Sequence, residues 1–302
     1  MAIDNQTSSA RRIKRIAEGI LGLPTLPTVV SKMIRLVDSP KTTTSTLARL
    51  ISSDQSLTAR ILKMANSAYY GFSREIATVN TAIVVMGFNA VKDLGLSLSV
   101  FDMFKGAESV YAFDPARFWE HSIGCGIAGK TIASVHHPQR AGEAFVAGLL
   151  HDIGKVVLNQ YAHEEFLEIM NRVTAKGQSL EAAEAAVIGV GHGTVGGWLA
   201  DKWKLPPFIT ECMYHHHDPR NAKVDPVLVG IISLSDQLCH RTGVGNSGRV
   251  IPPESIPQVW EIFENAGIAL HEDGLDTLET EFLLEFDRND AFLSLAQDDG
   301  SP

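Results

Sequence analysis

The chain has 302 residues, of which 45% are hydrophobic and 20% charged, a composition that predicts a globular protein and excludes a disordered chain. Its length exceeds the usual span of a single hydrophobic core, so we expect two subdomains. The net charge of −9 belongs to the segment from Arg241 to Pro302, which has thirteen acidic residues against three arginines, and because no basic stripe occurs elsewhere, binding to nucleic acid is disfavoured.

Apolar residues recur at helical spacing and strand-like alternation is almost absent, which predicts an all-α fold. An N-terminal helical subdomain is expected over residues 1–110. Turn residues at Asp38 to Pro40 end its first helix, and Ser53 or Asp54 is the candidate N-cap of its third. The first predicted helix begins after Pro27 and ends at Val37, the second includes Leu47 to Ile51, and the third begins after the Ser53 or Asp54 cap. Two more helices are predicted over Thr81 to Gly87 and Asn89 to Phe104.

A junction at Lys105 to Phe113 precedes the second group of helices, which begins with an Asp114 cap and a first-turn proline. We expect a helical core over residues 111–242. A glycine-rich loop then leads into an acidic helical extension over residues 243–302. The predicted helices are Pro115 to Val135, Ala141 to Leu150, Glu164 to Lys176, Leu180 to Ile188, His192 to Lys204, Pro207 to His216, Asp225 to Arg241, Ser255 to Ala266 and Leu275 to Leu295.

The first ten residues lack the apolar stretch of a signal peptide, and no uninterrupted apolar run reaches membrane-spanning length. We therefore expect a cytoplasmic protein without a membrane partner. Three widely spaced cysteines indicate reduced, buried thiols and not a disulfide framework: Cys125, Cys212 and Cys239. Cys125, a small thiol among glycines, is typical of helix packing.

Three histidines show no partner pattern in the sequence: His163, His240 and His271.

His151 and Asp152 close an apolar helix and offer an imidazole nitrogen and a carboxylate oxygen from one backbone turn. Such a pair can hold a divalent metal and bridge to a second. An isolated His-Asp pair is usually a surface or cap pair, but other histidines lie on flanking helices. Asp236 lies in an apolar helix, where burial is costly unless a cation satisfies the carboxylate. Alternatively, Asp236 turns toward solvent, caps a helix or pairs with an arginine.

The order of these residues resembles the ligand order of HD-superfamily phosphohydrolases. The resemblance implies a site for one or two divalent transition metal ions, with Fe, Mn, Zn and Ni equally suited to mixed nitrogen and oxygen ligands. Lys155 falls where those enzymes place a lysine that contacts the substrate phosphate. The implied metal ligands are His121, His151, Asp152, His192, His216, His217 and Asp236.

The segments Leu23 to Pro27, Ile51 to Arg60, Ala65 to Gly71 and Gly148 to Lys155 resemble those by which HDOD domains (HD-related output domains) are recognised. The resemblance covers about Leu23 to His240. It implies a helical bundle packed on an HD-type metal-binding core. HDOD domains are regarded as outputs of bacterial signal transduction, and many are thought to act by binding.

Two features differ from the HD-GYP phosphodiesterases, which are related HD enzymes. His216-His217-Asp218-Pro219-Arg220 lacks the segment that gives those enzymes their name, and Arg117 stands where a trinuclear site needs a glutamate. The resemblance therefore does not imply hydrolysis of cyclic-di-GMP.

Two functions remain open. The first is a signalling module that binds a small phosphorylated ligand, a signalling protein partner or both, with a metal in the HD site. The alternative is a metal-dependent phosphohydrolase acting on nucleotide or cyclic-nucleotide phosphoesters. In that enzyme, Lys155 would neutralise developing charge.

Overall fold

The structure is a computed structural model that describes residues 2–22, 25–37, 39, 41–67, 70–104, 113–248 and 257–289. Over these ranges the chain forms helices and no β-strand, so the predicted all-α class is confirmed. Three predicted features lie wholly or partly outside the described residues: the turn at Asp38 to Pro40, the junction at Lys105 to Phe113, and the end of the last helix, which was expected to reach Leu295.

The helices are numbered in chain order. Their bounds are α1 (Ala2–Gly22), α2 (Thr28–Val37), α3 (Thr44–Ser52), α4 (Gln55–Ala65), α5 (Val79–Met86), α6 (Phe88–Phe104), α7 (Pro115–His136), α8 (Ala141–Leu150), α9 (Ile153–Tyr161), α10 (His163–Lys176), α11 (Leu180–Val187), α12 (His192–Trp203), α13 (Pro207–His215), α14 (Pro226–Thr242), α15 (Pro257–Asn265) and α16 (Leu275–Asp287).

The chain divides into two compact units, one of residues 25–105 with 284–302 and one of residues 1–24 with 106–283. This division places α1 in the same unit as the helices that follow the junction. The sequence instead grouped residues 1–110 together. The predicted domain boundaries at 110 and 242 stay predictions.

Helix α6 is the central element of the unit formed by residues 25–105, because α2, α4 and α5 all pack against it. Residues 91–100 are buried on every side of this helix, the pattern of a core helix. No single helix among the described residues is long and apolar enough to cross a membrane. The pair α5 and α6 reaches that length only jointly, and it bends by 119° at its break.

Side-chain caps fix where the helices of this unit begin. The Thr43, Asp54 and Thr78 side chains accept hydrogen bonds from the third backbone N–H beyond them, at the starts of α3, α4 and α5. Each cap satisfies one of the N–H groups that a helix start leaves without a partner. Of the two predicted caps for α4, Asp54 is therefore the one that the structure uses.

Helix α7 is the central element of the other unit, with α8 and α14 packed along it, while α12 packs against both α9 and α13. The predicted Asp114 cap is present and accepts from the N–H of Ala116. Helices α1 and α9 were not predicted. Helix α1 packs on α9 and α12, and Arg12 donates a hydrogen bond of 2.6 Å to the carbonyl oxygen of Val187 at the end of α11.

Two helices of the predicted acidic extension are present as α15 and the part of α16 that the structure describes. Helix α15 packs on α14, and Arg241 at the end of α14 pairs with Glu279 on α16. At least one acidic residue of α16, Glu279, is therefore paired with a basic residue of α14.

Candidate metal centre

The seven side chains predicted as metal ligands come from separate parts of the chain, and the structure brings them together. Six of them are buried, and His217 is partly exposed. His121 lies within α7, His151 follows α8, Asp152 precedes α9, His192 begins α12, His216 and His217 follow α13, and Asp236 lies within α14. Their role as ligands stays a prediction.

Close approach of helices at two glycines makes this convergence possible. A Cβ atom added at Gly148 on α8 would lie 2.5 Å from the carbonyl oxygen of Cys125 on α7. A Cβ atom added at Gly154 on α9 would lie 2.0 Å from the carbonyl oxygen of His192. Neither position has room for a larger residue, so glycine at both sites lets α7, α8, α9 and α12 approach closely enough for their polar side chains to meet.

One group of possible ligands, which we call the second group, consists of Asp152, His192, His216 and His217. Oδ1 of Asp152 lies 3.1 Å from Nε2 of His192 and 3.5 Å from Nε2 of His216. Nε2 of His192 lies 3.3 Å from Nε2 of His216 and 2.9 Å from Nε2 of His217. Two ligands in a tetrahedral site with bonds of roughly 2.0 to 2.1 Å are about 3.3 to 3.4 Å apart, which is close to these distances.

The other group, the first group, consists of His121, Cys125, His151 and Asp236. Oδ1 of Asp236 lies 3.1 Å from Nε2 of His121 and 3.7 Å from Nε2 of His151. All four residues are buried. The buried carboxylate of Asp236 therefore faces imidazoles, and the alternative in which it turns toward solvent is wrong.

The carboxylate of Asp152 lies between the two groups. While its Oδ1 faces the second group, its Oδ2 lies 3.4 Å from Nε2 of His151 and 3.8 Å from Nε2 of His121. A carboxylate in this position can offer one oxygen to each of two ions. The geometry therefore agrees with the bridging role expected for this residue.

Three imidazole rings of the cluster are oriented by hydrogen bonds at Nδ1, the nitrogen that faces away from the cluster. Nδ1 of His151 lies 2.6 Å from the carbonyl oxygen of Gly148, and Nδ1 of His216 lies 3.1 Å from that of Cys212. Nδ1 of His192 lies 2.8 Å from a carboxylate oxygen of Glu184. Because each Nδ1 donates outward, each Nε2 points into the cluster. Metal-binding histidines are held in this way by their other nitrogen.

The carboxylates of the cluster are ionised. Burial alone would raise the pKa of Asp152, but His151 and Lys155 hold it well below its usual range. Burial would likewise raise the pKa of Asp236, but His240 and His121 hold it well below that range. Burial lowers the pKa of His216 to about 4, so this imidazole is neutral and its inward lone pair is available.

Several buried polar atoms of the cluster have no hydrogen-bond partner within the described parts of the chain. Among them are Nε2 of His151, Oδ1 of Asp152 and Oδ1 of Asp236, all of which point into the two groups. Buried polar groups are normally paired, and a cation among them would satisfy these atoms. Imidazole, carboxylate and thiol donors suit a divalent transition metal, so the donor set fits the ion that the HD-type arrangement implies.

Lys155 is fully enclosed. Its Nζ donates to Oδ2 of Asp152 at 2.5 Å and to Oγ of Ser247 at 3.1 Å. Ser247 belongs to the loop 243–248, which lies against the start of α7: the N–H of Asn246 donates to the carbonyl oxygen of Arg117, and Arg117 donates to the carbonyl oxygen of Gly245. The lysine predicted to meet a substrate phosphate is therefore engaged inside the protein.

Sequence reasoning missed several residues of the site. Cys125, interpreted as packing, is part of the first group, and Nε2 of His240, considered to lack a partner, lies 3.2 Å from Oδ1 of Asp236. Both corrections could have been found from helical spacing, because each residue lies one turn beyond a predicted ligand on the same helix. Glu184 is fully buried in an alanine-rich helix. A glutamate among alanines is unusual in a buried helix, and this is the feature of the sequence that could have indicated a functional role.

Other histidines lie outside the cluster. Nδ1 of His163 lies 3.1 Å from the carbonyl oxygen of Asn159 at the end of α9. Nε2 of His137 lies 3.2 Å from a carboxylate oxygen of Asp225. The described partners of these two histidines are therefore local or on a neighbouring helix.

A helical core with this order of buried histidines and aspartates defines an HD-type protein. The family model of the HDOD domain matches residues 23–219. The chain therefore belongs to the HDOD family.

Similar structures agree with this assignment. An HDOD domain protein of unknown function from Geobacter sulfurreducens is 26% identical, with a TM-score of 0.74 over 96% of this chain and 97% of that chain. A candidate phosphohydrolase from Shewanella amazonensis is 22% identical, with a TM-score of 0.70 over 94% of this chain and 97% of the other, a level that supports the fold alone.

An uncharacterized protein of Treponema pallidum (strain Nichols) is 23% identical over 236 residues. The match covers 78% of this chain but 45% of that relative, so the chain spans less than half the length of the curated protein that it matches.

Proposed function

We propose that this chain is an HDOD-type signal-transduction output module whose HD site holds a metal ion. In this role it binds a small phosphorylated ligand, a signalling protein partner or both. The metal satisfies the buried donors and stabilises the core, and the module acts by binding and not by turnover.

The enclosure of Lys155 is the observation that favours a binding module. In the phosphohydrolase alternative, Lys155 has to reach the substrate phosphate to neutralise its developing charge. Here the ammonium group is almost completely buried and is already bonded to Asp152 and Ser247. A substrate would have to displace the loop 243–248 or break an ion pair in the interior, where unpaired charges are costly.

Within the part of the chain that the structure describes, His217 is the partly exposed member of the cluster, and a small ligand would meet the cluster there. The side chain of His217 is 28% exposed, and its Nε2 lies 3.6 Å from a carboxylate oxygen of Glu181, which is partly exposed. A ligand phosphate at this edge would reach a metal in the second group without entering the core. Glu181 would then repel the phosphate, which makes binding sensitive to the charge at that position.

The second candidate function is a metal-dependent phosphohydrolase. The position of Asp152 between two groups of donors favours it, because paired metal sites that share a ligand are common in enzymes that cleave phosphoesters. In such an enzyme, the ions would polarise the phosphoester and activate a water molecule. Lys155 would have to leave Ser247 to contact the substrate.

Metal content and turnover of the purified chain separate the two functions. The chain should be saturated with zinc, manganese, iron or nickel in turn, analysed for bound metal, and assayed with nucleotide and cyclic-nucleotide phosphoesters. We expect bound metal without turnover. Metal-dependent turnover that disappears in Lys155→Met at unchanged metal content would establish the enzyme instead, and absence of bound metal under all four conditions would reject the metal site.

A further inference from the structure

Cys125 lies one turn beyond His121 on α7, so the two side chains are on the same face of that helix. Its Sγ lies 3.5 Å from Nε2 of His121, and the thiol is completely buried. A thiol that only filled space would not need to face imidazole and carboxylate atoms. The position of Cys125 therefore calls for a chemical explanation.

Two distances within the first group are close to those expected for a metal ion with one sulfur ligand. With a metal–sulfur bond of roughly 2.3 Å and metal–nitrogen bonds of roughly 2.0 to 2.1 Å, sulfur and nitrogen ligands of a tetrahedral ion are about 3.5 Å apart. Sγ of Cys125 and Nε2 of His121 show that separation. The distance of 3.1 Å from Nε2 of His121 to Oδ1 of Asp236 is also close to the separation expected for nitrogen and oxygen ligands.

Two other members of the first group supply an independent indication of a ligand. Nε2 of His151 and Oδ1 of Asp236 are buried and have no hydrogen-bond partner within the described ranges. Both atoms belong to the set whose possible ligand atoms lie within 4.8 Å of one another, together with Sγ of Cys125. A cation in the centre of that set would contact all four residues.

We propose that Cys125 is a thiolate ligand that completes a closed site of two nitrogens, one oxygen and one sulfur in the first group. This inference rests on the proposed function, in which the cluster holds metal. The sulfur ligand favours zinc and other borderline or soft ions over magnesium and manganese.

The proposal divides the cluster into two sites with different properties. The first site has four protein ligands, all buried, which is typical of a structural metal site. The second site, formed by Asp152 and three histidines, has no sulfur ligand and reaches solvent at His217. Exchange of metal and contact with ligands are therefore expected at the second site, while the first retains its ion.

Cobalt substitution tests the proposal without an activity assay. The full-length wild-type chain loaded with Co²⁺ should show an intense near-ultraviolet band from charge transfer between thiolate and cobalt. Cys125→Ser should lose that band and bind zinc at least roughly 10-fold more weakly, the lower limit known even for residues that only support a metal ligand. Cys239→Ser is the control for the neighbouring thiol: the side chain of Cys239 on α14 is hydrogen-bonded to that of Cys125, the serine hydroxyl can keep this hydrogen bond, and the band should therefore remain.

Each result has a distinct meaning. Bound cobalt with no thiolate band in the wild type, or a band that persists in Cys125→Ser, would overturn the proposal and leave the metal-holding module intact. Failure of the wild type to bind cobalt or zinc would reject the module's metal site and the thiolate ligand with it. If Cys125→Ser does not fold, X-ray absorption of the zinc-loaded Cys239→Ser protein decides: a sulfur neighbour at about 2.3 Å supports the proposal, and nitrogen and oxygen neighbours alone contradict it.

Discussion

Both carboxylate oxygens of Glu184 lie within hydrogen-bonding distance of Nδ1 of His192, at 2.8 and 2.9 Å, and one of them also accepts from the N–H of His192. The pair is fully buried, on α11 and at the start of α12. Glu184 therefore fixes the orientation of the ring and directs its Nε2 toward Asp152. Replacing Glu184 should therefore change the affinity for metal, although Glu184 is not itself a metal ligand.

We expect Glu184→Gln to weaken metal binding by roughly 10- to 100-fold, because the amide is a poorer and less basic acceptor for the imidazole. Competition with a chromophoric chelator would measure the change. Glu164→Gln, at an exposed position on α10, is the control and should bind metal as the wild type does. Equal affinities for the wild type and Glu184→Gln would show that His192 needs no orienting partner, or that it is not a ligand.

Removal of metal should destabilise the wild type more than a variant that lacks the carboxylate of Asp152, because only the first group of possible ligands is intact in that variant. At metal concentrations about a thousand-fold above the dissociation constant, binding contributes about 4 kcal/mol to the free energy of unfolding. Urea unfolding with and without a chelator should show a difference of that order for the wild type. Asp152→Asn should be less stable in both conditions, because it also leaves Lys155 without its ionised partner.

The informative quantity is therefore the effect of the chelator on each variant and not the stability of Asp152→Asn alone. We expect this effect to become smaller in Asp152→Asn, in which the first group is intact, and to keep its full size in Asp218→Asn, whose side chain is exposed. A chelator effect of equal size in the wild type and in Asp152→Asn would mean that the stabilising ion binds elsewhere.

Metal uptake should release protons. Burial alone would lower the pKa of His151 and that of His192, but Asp152 raises the first and Glu184 raises the second. The metal-free protein therefore holds protons on these imidazoles, and a metal ion must displace them. We expect the apparent affinity to increase with pH between about pH 6 and 8. An affinity that is constant over this range would contradict the involvement of both histidines.

The same raised pKa values make the stability of the metal-free protein fall with increasing pH, whereas the affinity for metal rises. A histidine with a raised pKa in the folded state stabilises that state below the pKa of the unfolded chain, and the contribution is lost as the pH rises through the folded pKa. Metal-free protein should therefore become less stable as the pH rises, while metal-loaded protein gains from tighter binding. Urea unfolding of both forms at several pH values would reveal the two opposite trends.

The sequence predicted the all-α class and the convergence of seven side chains, because adjacent His151 and Asp152 and the order of the other histidines are visible without coordinates. It did not predict α9, in which residues 153–159 are all buried, polar Lys155 and Asn159 included, so no alternation of buried and exposed faces marks the helix. Glu184 was missed for another reason. It lies on α11, eight residues before His192, and the packing that brings its carboxylate to that imidazole cannot be deduced from local spacing.

The loop 243–248 provides a last test, because two of its three glycines with positive φ have different surroundings. Gly243 has φ of 73° and open space around the position of a Cβ atom, whereas Gly245 has φ of 65° and a Cβ there would lie 2.1 Å from the backbone nitrogen of His121. Both would be strained by a side chain, but only Gly245 also presses against the helix that carries the metal cluster.

We expect Gly243→Ala to cost about 1 to 2 kcal/mol of stability, the usual penalty for a left-handed alanine. Gly245→Ala should cost more, about 2 to 4 kcal/mol, because the loop must also move away from α7. That movement would separate Ser247 from Lys155, which it contacts at 3.1 Å, and open the cluster to solvent. Metal should therefore leave Gly245→Ala faster than Gly243→Ala when a chelator is added, and equal release rates would show that the loop does not cover the site.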